Sequence, residues 1–402
     1  MSQNVEIAKR LISYAIRGGP FAPISKFPRS GHGITIPVEN IDQYFNAVRE
    51  FFALERDVMH SYSIKTFEKK VFAFIAPFVI SSEIPERKQV QDFLLGLKSV
   101  RVQPHDVYRP VYGIEIEEGV APVELGPFTI YNTHRHAAEL DVVMNGRRET
   151  ALMDKSEHYL IRTTVETRDD LRAQELGDEK FEQFEGVVRC VLGPGTGYDV
   201  SVSHSLEPAD LRSIVLNSAS GLTEIRRAPS IPIFCINDPL FVSTERGFDR
   251  LWGLAGASVK NEFNQKVLLA VDWIGQSIAE KVPSSAFIKA AIALEVLFSP
   301  KKEFISSSIT AQISESAAML LGTDADSRLK TEKVVKDLYG IRSKVAHEGR
   351  PDVDYADLFA VQDVARNVII KLLTSESLKT VETGQALQQY LKAQKYSCPA
   401  II

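Results

Sequence analysis

Three cysteines in 402 residues are too few and too scattered for a disulfide framework. Cys190, Cys235 and Cys398 share no metal-ligand spacing and suit a reducing compartment. No window approaches 18 uninterrupted apolar residues, so no transmembrane helix is expected. The opening Met1-Ser2-Gln3-Asn4-Val5-Glu6 has no basic stretch running into an apolar core, so no secretory signal is read and a cytoplasmic location is expected. Excess positive charge is also missing: the net charge is −5, which argues against a dedicated high-affinity nucleic-acid binder. Internal repeats and low-complexity tracts are absent. What remains is ordinary for a soluble globular protein, 44% hydrophobic and 25% charged. The chain is long enough for two domains with their own cores.

Patterning divides it into an α+β region with a mixed or antiparallel sheet over 1–225, a linker over 226–242, and an all-α bundle over 243–402. Val5, Ile7, Ala8, Leu11, Ile12, Ala15 and Ile16 form a helical stripe that stops at Gly18-Gly19-Pro20. Asn40 can cap a second helix over 41–59. From 65 to about 204 the pattern shifts towards strands, at 71–75, 128–131 and 159–165, each rich in β-branched and aromatic residues. Residues 121–127 read as a turn entering one of them, and 88–97 as a shorter helix. Ala228-Pro229-Ser230-Ile231-Pro232-Ile233 cannot be helical and marks the boundary. Helices are then expected over 261–281, from a cap at Ser284 or Ser285 to before Pro300, over 304–321 with Gly322 as C-cap, over 326–347 closed by Gly349 and Pro351, and over 355–373. Short links between them imply antiparallel neighbours in a bundle.

The fourth of these helices carries Arg342 and, five residues on, His347, the only histidine after His204. A guanidinium holds a phosphate by two parallel hydrogen bonds, and an imidazole moves a proton near neutral pH. Those are the tools needed to cut RNA without a metal. Spacing alone is weak, since about half an Arg-x4-His pair is expected by chance in a chain of this composition. On a regular helix the two side chains point about 140° apart. Either the helix ends near His347 and lets the imidazole swing round, or a two-fold axis brings Arg342 of one copy beside His347 of another.

The surrounding blocks are more specific than the pair. They run Ala270-Val271-Asp272-Trp273-Ile274-Gly275, then Ala293-Leu294-Glu295-Val296-Leu297-Phe298, then a Ser/Ala-rich run over 305–321, then Tyr339-Gly340-Ile341-Arg342-Ser343-Lys344-Val345-Ala346-His347-Glu348-Gly349. In this order they resemble the HEPN superfamily, and within it the HEPN domains of ApeA-like anti-phage proteins, over residues 243–402. The resemblance implies a helical bundle that forms a homodimer. It also implies a metal-independent, cofactor-free endoribonuclease site built on Arg342 and His347, with RNA as substrate. It further implies abortive anti-phage defence, with the N-terminal region sensing a phage-derived trigger or restraining the nuclease. Many active members carry Asn, Asp or His directly after the arginine; this chain has Ser343, which reads as a neutral substitute. Glu295 is placed to orient Arg342 or His347 from a facing helix. Lys344 and Arg350 can steer phosphate. Tyr339 reads first as core packing and second as a stacking platform for bases.

The competing reading is a non-catalytic HEPN dimerisation adaptor with an N-terminal ligand-binding module, favoured by Ser343 and by the lack of a basic stripe. Catalysis requires Arg342 and His347 to face a shared cleft; the adaptor does not. Three other clusters read as structural. Gly193-Pro194-Gly195-Thr196-Gly197-Tyr198 lacks the Lys-Ser/Thr ending of a phosphate loop and reads as a strand-connecting turn. His134-Arg135-His136 with Asp141 reads as surface residues after a strand rather than metal ligands. Arg226-Arg227 reads as a boundary-loop charge pair.

Overall fold

The computed structural model describes residues 3–18, 29–147, 159–203, 211–217, 221–227, 232–298, 309–348 and 352–396. Among them the chain is mostly helical, with a sheet-containing N-terminal region and a helical C-terminal region. The first stretch runs α1 (Gln3–Ser13), β1 (Ile16–Arg17), β2 (Arg29–Gly31), β3 (Ile34–Ile36), α2 (Ile41–Leu54), α3 (Arg56–Ser61), α4 (Ile64–Ser81) and α5 (Arg87–Ser99). Then come β4 (Gln103–Tyr112), β5 (Ile114–Glu115), β6 (Val123–Leu125), β7 (Phe128–Asn132), α6 (Ala137–Val143) and β8 (Tyr159–Thr167). The long α7 (Asp170–Leu192) leads to β9 (Ser201–Val202), a hairpin of β10 (Leu211–Asn217) and β11 (Gly221–Arg227), and β12 (Phe234–Cys235). The remainder is α8 (Phe248–Gly256), α9 (Glu262–Ala279), α10 (Pro283–Phe298), α11 (Ile309–Leu321), α12 (Ala325–Glu348), α13 (Tyr355–Thr374) and α14 (Gly384–Tyr396).

Two compact units result: Met1–Val107 with Thr164–Glu179, and Tyr108–Thr163 with Lys180–Ile402. They divide the chain elsewhere than at 226–242. The reason is chain course, because β4, β8 and α7 each begin in one unit and end in the other.

The first unit is helical around an aromatic core of Tyr44, Phe51, Phe67 and Phe72, with Ile7 and Leu11 from α1. A small antiparallel sheet ordered β1-β3-β2 lies within it. Asp169 braces its helices. One carboxylate oxygen accepts from Ser63 N–H at 2.9 Å and Arg172 N–H at 3.2 Å, and the other accepts from the Thr66 hydroxyl at 2.9 Å. The same carboxylate therefore satisfies orphan donors at the starts of α4 and α7.

Several expectations fail here. The strand expected at 71–75 lies inside α4, where Phe67, Glu68, Val71, Phe72, Ile75 and Ala76 make one buried helical stripe. A short apolar run fits both periods, and only its partners decide. The first helix stops at Ser13, because Ile16 and Arg17 pair with β3. The helix expected over 41–59 breaks at Glu55 into α2 and α3. Asn40 does not cap α2; its amide donates to the Tyr14 carbonyl at 3.2 Å.

In the second unit the sheet is ordered β6-β7-β8-β4-β9, and the pairs β6–β7, β7–β8 and β4–β9 are antiparallel. β5 and β12 add a separate parallel pair. Strands at 128–131 and 159–165 fall where expected, whereas 123–125, expected within a turn, form β6 and leave Gly126 and Pro127 as the turn into β7. Phe128, Phe184 and Trp252 meet ring to ring, joining β7, α7 and α8. Gly275 of α9 lies against Gly186 of α7 so closely that an added Cβ would stand 2.4 Å from the Gly186 Cα.

The bundle helices follow the apolar periodicity closely. Asn261 caps α9 by accepting from Asn264 N–H at 2.8 Å. Pro283 opens α10, so Ser284 and Ser285 lie inside its first turn instead of capping it. Helices α8 and α14 were not expected, nor were α6 and the long α7 in the stretch read as strand-like, and Arg226-Arg227 closes β11 instead of lying in a loop. Residues 228–231, the 304–308 start of the third expected helix, and Gly349, Arg350 and Pro351 lie outside the described residues.

Candidate active site on helix α12

Val335, Leu338, Tyr339 and Val345 recur at helical spacing and form the buried face of α12. That face packs on α11 and α10. The Tyr339 hydroxyl donates to the Ala291 carbonyl of α10 at 3.0 Å. One turn further along both helices, Arg342 meets Glu295, with Nε 3.1 Å from Oε1. The Arg342 Nε is buried and makes no hydrogen bond, so this pair is a charge contact with a poor donor angle. About a third of the Arg342 side chain (32%) and 22% of Glu295 remain exposed, which keeps the pair's net stabilisation modest. Among the described residues no second acceptor pairs with Arg342, which leaves the terminal nitrogens of the fork for an anion.

Tyr339 is 4% exposed, so it packs and offers no ring to a base. Burial, then the charge of Glu295, pushes its phenol above the usual range, against the opposing pull of Arg342. It therefore stays a proton donor to Ala291 at any working pH.

Lys333, Lys336, Asp337, Gly340, Ser343, Lys344 and His347 are exposed and share the outer face of α12. Lys336 is paired with Glu332. Among the described residues His347 makes no hydrogen bond or ion pair, so its ring is open to solvent. The helix is still regular at Glu348, so it does not end early enough to swing the imidazole round. Within one chain, Arg342, Glu295 and Tyr339 come together against α10. His347, Ser343 and Lys344 stay on the outer face, about 100–160° round the helix from Arg342. Of the two routes to a joint site, the one using a second copy fits this helix. Lys333 and Lys336 were not singled out as candidates. The 333, 336/337, 340, 343/344, 347 recurrence would have found them.

The other clusters are structural. The glycine loop over 193–198 follows a helix, α7, and Gly193, Gly195 and Gly197 all have positive φ. Arg366 of α13 donates to the carbonyls of Cys190 and Val191 at 2.6 and 2.8 Å, completing the C-terminus of α7. His136 is buried rather than on the surface. Its Nδ1 accepts from Asn132 N–H and its Nε2 donates to the Val120 carbonyl, both at 2.9 Å. With both nitrogens spent on backbone, His136 has none left for a metal. Among the described residues no group of three His, Cys, Asp or Glu side chains is arranged to hold one.

No protein-family model, curated protein or solved structure matches the chain. Among the described residues no helix is long and apolar enough to cross a membrane.

Proposed function

We propose that the chain is a metal-independent endoribonuclease of the HEPN type, acting as a homodimer in cytoplasmic abortive anti-phage defence. The observation that carries this reading is the arrangement on α12: an arginine oriented by Glu295, with an unencumbered histidine in the last turn of the same helix. The motif block over 339–349 supplies the family context. In the reaction, His347 takes the 2′-OH proton while that oxygen attacks the adjacent phosphorus. The 5′-oxygen leaves with a proton from the imidazolium of a second copy. Arg342 stabilises the charge that develops on the phosphorane-like transition state. The products are a 2′,3′-cyclic phosphate and a 5′-OH, and DNA, which lacks the 2′-OH, is spared. Lys344 and Lys333, exposed on the same face, supply the local positive charge that the whole chain lacks. The 1–225 region would receive a phage-derived trigger.

The adaptor reading keeps one observation in its favour: Arg342 already has a charge partner, Glu295, within one chain. The two readings separate on induced expression of wild type and His347→Ala in a bacterial host, with phage challenge in parallel. The nuclease predicts RNA fragments ending in 2′,3′-cyclic phosphates, lost in His347→Ala at equal protein level together with protection. Intact RNA, with protection unchanged in the variant, would overturn it and leave the adaptor.

A further inference from the structure

The glycine loop over 193–198 has neighbours that the site on α12 does not use. Leaving α7, it passes beside α13: a Cβ built on Gly193 would stand 3.3 Å from the Arg366 Cζ, and one on Gly195 would stand 3.7 Å from the Phe359 ring. Arg366 is spent on the α7 carbonyls. Phe359 keeps an open face. It is 40% exposed, and Tyr355, one turn earlier on α13, is 60% exposed. Their rings lie 6.1 Å apart with planes at 44°, so two aromatic faces stand side by side on the surface.

The packing of α13 does not account for these rings. Its buried stripe is Leu358, Val361, Ala365, Val368, Ile369 and Leu372, and Tyr355 and Phe359 lie off it. At the next i+4 position after Phe359 comes Asp363, also exposed. Exposed Asp352 and Asp354 stand at the other end of the row, just ahead of the helix. Asp354 has a local duty, accepting from Ala356 N–H at 3.1 Å, and acids at a helix start offset its dipole. Asp363 is in the third turn, where that dipole no longer reaches. Among the described residues neither Asp352 nor Asp363 makes a hydrogen bond or ion pair.

Aromatic faces with unpaired carboxylates beside them favour a cation. A guanidinium uses both features, because it stacks on a ring and holds a carboxylate by two parallel hydrogen bonds. The same carboxylates repel a phosphate backbone, which sets this surface against nucleic acid. We propose that this face of α13 docks an arginine-bearing segment of a partner protein. Its arginines stack on Tyr355 and Phe359 and pair with Asp363 and Asp352. Lysine is the weaker substitute, since an ammonium neither stacks flat nor forms the paired bonds. Docking here needs no RNA cleavage, so it stands whether or not the chain is a nuclease.

The test is fluorescence anisotropy of the full chain with fluorescein-labelled hexa-arginine and hexa-lysine amides, at about 150 mM salt to screen long-range attraction. Wild type should bind one hexa-arginine per chain saturably and prefer it to hexa-lysine by about threefold or more. The double variant Tyr355→Leu with Phe359→Leu keeps the charge and apolar character of the face, and should bring the two peptides to equal affinity. Asp363→Asn should weaken hexa-arginine about threefold or more. Glu245→Gln, which removes an exposed acid elsewhere in the same unit, should leave it unchanged. Absence of saturable binding would overturn the proposal, as would an arginine preference that survives loss of both rings. Equal weakening in Glu245→Gln and Asp363→Asn would overturn it too, by reducing the binding to overall charge. An oligouridylate that binds wild type and loses affinity in the double variant would give the rings to nucleic acid and overturn it as well.

Discussion

Gly275 in α9 and Gly96 in α5 are both interior helix glycines, and they meet opposite surroundings. At Gly275 an added Cβ would stand 2.4 Å from the Gly186 Cα and 3.0 Å from its carbonyl oxygen. At Gly96, and at Gly340 in α12, nothing lies within 4 Å. Each glycine gives up about 1 kcal/mol of helix preference relative to alanine. In the bundle that loss is offset by two backbones packing in contact. At Gly96 and Gly340 nothing among the described residues offsets it. Gly253 in α8 is bare in the same way, so an open helix glycine marks exposed surface; Gly340 lies on the face that carries His347.

The largest effect should come from closing the tight crossing. Gly275→Ala forces a methyl into the Gly186 backbone, and overpacking of this kind costs about 1–3 kcal/mol even though alanine favours helix. Urea unfolding should show a lower midpoint at unchanged slope. An unchanged midpoint would mean that α7 and α9 separate freely and that the contrast with Gly96 is empty. The first unit secures helices by other means, through the Asp169 brace. Burial pushes that carboxyl up, but the bonds from Ser63, Thr66 and Arg172 outweigh it and hold the group below the usual carboxylate range. A depressed pKa stabilises the fold above the unfolded value, near 4, and the stabilisation is lost as pH falls through the lower folded value. Asp169→Asn should therefore cost about 1–2 kcal/mol at neutral pH. It should also flatten the stability profile below about pH 4. A variant profile parallel to wild type in acid would remove the brace from the account.

How much of this was legible depended on how far each feature rests on local sequence. In the bundle, α9, α12 and α13 follow their apolar periodicity to within a few residues, because each buries one continuous stripe. Helix α4 was misread because Val71-Phe72-Ala73-Phe74-Ile75 is an unbroken apolar run that fits either period, and only its packing on α1 and α2 decides. Glu295 was legible as a partner for Arg342, since neighbouring helices place such groups in reach, and the two meet at 3.1 Å. The Asp169 brace was not, because Ser63 and Asp169 are 106 residues apart.

Gly340→Ala carries the smallest expected change and reports on the face that matters most for function. Gly340 lies two residues before Arg342, exposed, with open space where its side chain would be. On a bare helix surface alanine should raise stability by about 0.5–1 kcal/mol, seen as a higher urea midpoint. A joint Arg342–His347 site needs a second copy near this helix, and a methyl at the contact would then weaken association while still favouring the isolated helix. Unfolding at low and high protein concentration separates the two effects, because stability linked to assembly depends on concentration. A gain that persists across the range leaves the face uncovered and puts Arg342 and His347 on separate business. A gain at low concentration that turns to a loss at high concentration seats the second copy on Gly340, at the one part of α12 where two such helices meet without side chains between them.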